Sequence, residues 1–297
     1  MIRRTRAMPD VEYWIIGGAF AVCAASFFCV VVPRYVLRHV GHGKPPPLPS
    51  GRVKTTGMGL LDVVGVGLFF GMYAGGWLLM QHGPTEAVDV TQVEPWVLMS
   101  ELVLQVMMVG FVIVLLCWRA NVIDLFGLRP RQWYLAPVLG VLVAFLMISF
   151  NAMLAMAGYH EWMAELAGVE DPSQEAVKMI KDNDDPVTLI LMTLLACVGA
   201  PLAEEVVFRG YIYGVVKKLS NIGFSVVFSG LLFAAVHMNM AGMLPLFVLG
   251  VALALVYELT GSLWAPIAVH FVFNATSVGY MIAEKFHPVW FEEAARI

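Results

Sequence analysis

Eight stretches of this chain are apolar over the length that a lipid bilayer demands. A hydrocarbon core takes ~20 mostly apolar residues per helix. Runs of that kind lie near 13–33, 58–81, 96–118, 134–156, 187–216, 220–238, 242–258 and 262–283. In lipid, backbone N–H and C=O groups must find partners within the chain, so such runs have to be helices. The expected fold is all-α: a polytopic transmembrane helical bundle of about eight spans. Of 297 residues, 60% are hydrophobic and 13% charged, against roughly 25% charged in a soluble domain. That excludes an ordinary water-soluble enzyme, a disordered chain and a disulfide-rich secreted scaffold. A net charge of −4 with no basic face leaves no nucleic-acid partner. Cys23, Cys29, Cys117 and Cys197 all fall in apolar stretches and read as small buried hydrophobes, not as a disulfide or zinc framework.

Lys and Arg in short loops set orientation. Arg34, Arg38, Lys44, Arg52 and Lys54 follow the first span; Arg119, Arg129 and Arg131 follow the third; Lys217 and Lys218 follow the fifth. These mark one side, taken as cytoplasmic. The intervening loops carry Glu86, Asp89 and Glu94, and then Glu161 through Asp185. The N-terminus is then outside, although Arg3, Arg4 and Arg6 argue the other way. A cleaved signal peptide is the alternative reading of the first span, but its apolar run is long and no small-x-small site follows it. Pro45-Pro46-Pro47-Leu48-Pro49 favours a stiff extended linker. The chain divides into an N-terminal span with a basic Pro-rich linker (1–57), N-terminal membrane helices (58–186), a catalytic membrane core (187–283) and a C-terminal tail (284–297). It reads as an integral multi-pass protein of a bacterial plasma membrane, with the bilayer as its first partner.

A charge at the bilayer centre costs at least ~2.5–3.5 kcal/mol on insertion scales. Four polar residues stand alone in apolar spans: Asp62, Glu101, Asn151 and Glu258. Each is expected to make an interhelical hydrogen bond or to lie near the interface.

The second half of the chain differs. The fifth apolar run is long, is interrupted by Gly199 and Pro201, and carries Glu204, Glu205 and Arg209. Glu205 and Arg209 are four apart and can pair on one helix face. Glu204 is rotated by about 100° and points elsewhere. Gly199 and Pro201 are expected to break the helix, as helices that line wet cavities often are. The sixth span ends in Phe233 and His237, and the eighth carries His270 and Asn274, four apart on one face. No Ser or Cys stands beside these groups with an obvious base, so a covalent nucleophile is not the first choice. Glu204 in an apolar surrounding suits a general base, with His237 holding a water against it. His270 and Asn274 can donate hydrogen bonds to a developing oxyanion. Base, water and paired donors describe amide hydrolysis by activated water. A rival is metal catalysis, with Glu204, His237 and His270 as ligands of a divalent ion. The chain lacks H-E-x-x-H, and at His160-Glu161 the second histidine position is Ala164. No cofactor is therefore expected.

The order E-E-x-x-x-R (Glu204, Glu205, Arg209), F-x-x-x-H (Phe233, His237) and H-x-x-x-N (His270, Asn274) resembles the CPBP family. These are the type II CAAX prenyl endopeptidases and their bacterial relatives, including bacteriocin-processing and immunity proteins. The resemblance covers about residues 187–280; residues 1–186 carry no matching motif. It implies an eight-helix membrane fold around a water-filled cavity and a glutamate-dependent intramembrane endopeptidase. Glu204 and His237 would activate the water, and His270 and Asn274 would form the oxyanion site. Glu205, held by Arg209, would support them. The implied partner is a peptide or protein substrate at the membrane, of CAAX type or a processed peptide or bacteriocin, with the site toward the cytoplasmic side. The competing functions are a non-catalytic membrane scaffold or immunity-type protein, and a proton-coupled transporter. No inverted repeat supports the transporter.

Overall fold

The computed structural model of the protein describes residues 10–44, 51–82, 95–129, 134–168 and 175–287. The regular structure among them is helical: α1 (Val11–Gly41), α2 (Asp62–His82), α3 (Pro95–Cys117), α4 (Val122–Leu125), α5 (Leu135–Met156), α6 (Tyr159–Ala167), α7 (Glu175–Asp182), α8 (Pro186–Leu219), α9 (Ile222–Val236), α10 (Met243–Thr260) and α11 (Trp264–Phe286). Among the described residues seven helices are long and apolar enough to cross a membrane: α1, α2, α3, α5, α8, α10 and α11. Together with the apolar α9 they form the expected polytopic bundle. Arg3, Arg4 and Arg6, the acidic residues 86, 89 and 94, the 45–49 proline stretch and the tail from 288 lie outside the described residues.

The apolar run at 220–238 yields a helix of only 15 residues. At 1.5 Å per residue that is about 22 Å, short of a core of about 30 Å. The depth that α9 leaves unfilled is taken by α6, whose Met163 and Ala167 bury against Met240 and Ala241 in the turn after α9. That turn is apolar because it is roofed, which is why the hydropathy of the run outlasts its helix.

α8 is 34 residues long and unbroken, contrary to the expectation at Gly199 and Pro201. Two π-helical segments, Leu195–Gly199 and Glu205–Tyr213, flank a short α stretch, Ala200–Glu204. Proline has no N–H to donate. The chain widens its turn instead of unwinding: the Ala200 N–H reaches back five residues to the Leu195 carbonyl. In that pattern the Ala196 carbonyl should receive the N–H of residue 201. Residue 201 is Pro, so Ala196 needs another donor.

The main core gathers Phe208, Tyr211 and Tyr213 of α8, Phe233 of α9, Tyr257 of α10 and Phe27 of α1. α11 lies along α5, α9 along α10, and α1 packs on α9. With Ile16 and Phe20 also in this core, α1 is a structural wall of the bundle.

The lone polar residues are satisfied in different ways. Asp62 forms a two-pronged pair with Arg119 (2.6 and 2.8 Å) and accepts from Tyr211 (3.1 Å). Glu258 binds Lys217 (2.8 and 2.9 Å) and accepts from Tyr213 (2.6 Å) and the Arg52 N–H (2.7 Å). Glu101 accepts from Gln105 one turn along its own helix (3.2 Å), near the start of α3. Asn151 donates to Met147 O within its own helix (3.1 Å), near the end of α5. The four cysteines are free, but only Cys23 and Cys197 are buried. Cys29 and Cys117 sit on exposed helix faces that lipid, not protein, would cover.

Candidate active site

Short connections bring the motif residues to one depth. From Glu204, α8 descends fifteen residues to Leu219, and α9 climbs fifteen residues from Ile222 to His237. Both side chains therefore stand about 22 Å from the α8–α9 turn. Arg209 meets Gly250 of α10 in the same way, its Nη2 donating to the Gly250 carbonyl at 3.2 Å.

The site has a dry side and an open side. Glu205 and Arg209 are wholly buried and paired at 2.9 Å, as their spacing predicts. The Glu205 Oε1 also accepts from His270 Nδ1 at 3.0 Å. A carboxylate so paired only accepts, so Nδ1 carries the proton and His270 Nε2 faces away from Glu205. Nε2 lies 3.9 Å from Glu204 Oε2. The Glu204 side chain keeps 23% of its surface exposed, yet its Oε2 is buried and makes no hydrogen bond to a protein group. Glu205 Oε2 and Arg209 Nε are likewise buried without a hydrogen bond to a protein group, so the adjacent glutamates differ in exposure and in having an arginine partner.

Phe233 joins the parts. Arg209 stacks on its ring at 4.4 Å, a cation–π contact. Its centroid is 4.7 Å from the His237 ring and 5.7 Å from the His270 ring. His237 follows the last residue of α9, and its Nδ1 donates to the Phe233 carbonyl at 2.7 Å. This leaves Nε2 of the neutral ring as an acceptor.

Asn274 is bonded to the backbone of α8 and not to the glutamates. Its Nδ2 donates to the Ala196 carbonyl at 2.8 Å, supplying the N–H that Pro201 lacks. One of its two amide protons is thereby used, and one remains.

Two further groups border the site that a search for charged residues passes over. Tyr73 of α2 lies 5.8 Å from the Phe208 ring and interacts electrostatically with both Glu204 and Glu101. Gln105 of α3 is buried, its Oε1 faces Gly199, and a Cβ at residue 199 would lie 2.8 Å from that oxygen. The signal for both was the one used for Asn151, a polar side chain in an apolar span.

Among the described residues no three His, Cys, Asp or Glu side chains are grouped as ligands. Within the rival set of Glu204, His237 and His270, each imidazole commits only its Nδ1, to Phe233 O and to Glu205 respectively, and keeps Nε2 free.

Residues 186–276 match the family model described as Type II CAAX prenyl endopeptidase Rce1-like. Over 99 residues the chain is 27% identical to YdiL of Bacillus subtilis (strain 168), a protein named as a proposed membrane peptidase. The aligned part is 33% of this chain and 39% of that relative, so the match spans well under half of either. No solved structure matches. The matched segment runs from the start of α8 to Thr276 on α11 and contains all three motifs; over this segment the chain is similar to the type II CAAX prenyl endopeptidases.

Proposed function

We propose that the protein is an intramembrane endopeptidase that hydrolyses a peptide bond with water activated by Glu204. The observation that carries this reading is the part-exposed Glu204 with its unpartnered Oε2, 3.9 Å from His270 Nε2 and beside the buried Glu205–Arg209 pair. A water would approach the carboxylate from the part of the Glu204 side chain that stays exposed.

In this reading Glu204 takes a proton from the water, and His237 Nε2 accepts the other hydrogen as a hydrogen bond. The oxygen attacks the carbonyl carbon of the scissile bond. The resulting oxyanion accepts from the remaining Asn274 amide proton and from His270. Because Nδ1–H is committed to Glu205, His270 can donate from Nε2 only when both ring nitrogens hold protons. Glu204 then passes its proton to the leaving amine, the C–N bond breaks, and two peptides result. Glu205 and Arg209 hold His270 in place. No metal takes part.

The substrate is a peptide or protein whose scissile bond reaches this depth, of the CAAX type or a processed peptide or bacteriocin. The protein resides in a bacterial plasma membrane. Support for the enzymatic reading comes from the family match and from the relative's name. A second reading, a non-catalytic scaffold or immunity-type protein, is favoured by one observation: Asn274 has a structural task at Ala196.

The test compares membrane peptides by mass spectrometry in cells making the parent or Glu204→Gln, and repeats the comparison with purified protein in lipid nanodiscs. Cleavage lost in Glu204→Gln and kept in strong chelators supports the proposal. Equal cleavage by Glu204→Gln sinks it, and loss in chelator revives the metal mechanism. Full biological activity of folded Glu204→Ala and Asn274→Ala would establish the scaffold reading. Matched prenylated and unlipidated peptides decide the substrate class.

A further inference from the structure

We propose that Glu12 of α1 is a positioning residue for His237, acting through the turn that ends α9. The proposal rests on the reading above that His237 serves the hydrolysis.

The residue after His237 is Met238, with φ of +50°, and among the described residues it is the one non-glycine with positive φ. A side chain in that region is strained, and such a conformation persists only when its surroundings hold it. Two residues further on, the Met240 N–H donates to Glu12 Oε1 at 3.0 Å, a bond between positions 228 apart in sequence. Met240 itself is 1% exposed and packs under α6. Within the turn the Gly242 N–H donates to Asn239 Oδ1 at 2.6 Å. Beside Glu12, Tyr13 stacks on Trp77 of α2 with ring centroids 4.6 Å apart. The start of α1 is thus fixed to α2 and offers one carboxylate oxygen to the strained turn.

His237, the residue after α9, is tied to that helix by its N–H to Ala234 O and its Nδ1–H to Phe233 O, and the turn from Met238 to Gly242 holds it from the other side. Glu12 supplies a charge-assisted bond at that point. The matched family segment begins at residue 186, so this function falls to a part of the chain outside it.

The test uses the full chain in lipid nanodiscs. Glu12→Met keeps length and removes the acceptor; Glu12→Gln keeps an acceptor oxygen. Met238→Gly removes the strain that the clamp opposes, and is combined with Glu12→Met. Two quantities are read: the rate of histidine carbethoxylation at His237 and His270, resolved by peptide mass spectrometry, and kcat/KM for cleavage. We expect Glu12→Met to change His237 labelling several-fold while His270 is unmoved. It should lower kcat/KM about tenfold or more, through kcat, as a small misplacement of a catalytic group does. Glu12→Gln should stay near the parent, and Met238→Gly should recover most of the loss. Unchanged His237 labelling in Glu12→Met overturns the proposal, as does a loss that neither Gln nor Met238→Gly repairs. If Glu12→Met does not accumulate, the same labelling in the Met238→Gly background decides. A parent that cleaves no faster than Glu204→Gln defeats the hydrolytic reading alone, because the labelling still reports on Glu12.

Discussion

Asn274 of α11 and Ala196 of α8 meet at 2.8 Å, the amide of one supplying the proton that Pro201 cannot give to the other. A buried carbonyl without its donor costs about 1–3 kcal/mol. Asn274→Ala should therefore lower the thermal midpoint in detergent as well as any activity. Pro201→Ala restores an N–H five residues beyond Ala196. In that background Asn274→Ala should cost markedly less stability, while lost cleavage stays lost. Stability loss of equal size in both backgrounds would contradict this account.

Glu205 and Arg209 are both fully buried, and their pair is shared with His270. Removing one partner leaves a bare charge in the core, a loss of about 3–5 kcal/mol. Glu205→Gln and Arg209→Gln should each unfold the protein at lower temperature, and the double variant should lose less than the two losses combined. Additive losses would show that the two side chains act independently.

Glu258 ties the segment before α2 to the bundle through the Arg52 N–H and Lys217, and Lys217 also donates to the Val53 carbonyl. Gly51, with φ of +77°, lies so close to Glu258 Oε1 that a Cβ would collide with it. Glu258→Gln should speed amide exchange at Arg52 and Val53, consistent with a local loss of roughly 1–3 kcal/mol. Gly51→Ala should do the same, by pushing the Glu258 carboxylate off the Arg52 N–H. Exchange at these amides equal to the parent's in both variants would refute the tether.

Asp185 caps the start of α8 by accepting from the Thr188 hydroxyl (2.6 Å) and N–H (2.8 Å). The hydroxyl bond, followed by the N–H bond, holds its carboxyl below the usual aspartate range. With the folded pKa depressed, the cap's contribution is complete above the unfolded value and is lost as pH falls through the folded one. Asp185→Asn keeps the acceptor and removes the titration. Its thermal midpoint should approach or overtake the parent's on acidification, and parallel pH curves would contradict the assignment.

The Glu205–Arg209 pair was legible because charge and a four-residue spacing fix it on any helix, and the π turn kept that contact. The shared depth of Glu204 and His237 could be read from chain lengths alone. The path of α8 could not, since a widened turn changes neither composition nor hydropathy. Asn274 looked purely catalytic because its partner is a backbone oxygen, which a residue pattern does not display. Glu12 escaped notice because a carboxylate near a helix start is ordinary at a membrane surface. The end of α9 at Val236 falls one residue before His237, where the sequence puts the end of the sixth span.

A π turn is, in effect, one residue too many for the helix that holds it. Removing a single residue between Leu195 and Gly199 would return that stretch to ordinary winding while leaving its two flanks facing much as before, because the wide turn takes up the extra residue that plain α winding would convert into a rotation of about 100°. In a lineage of such proteins, a one-residue gap here would spare the direction of the glutamates and fall on the Ala196 carbonyl that Asn274 now serves.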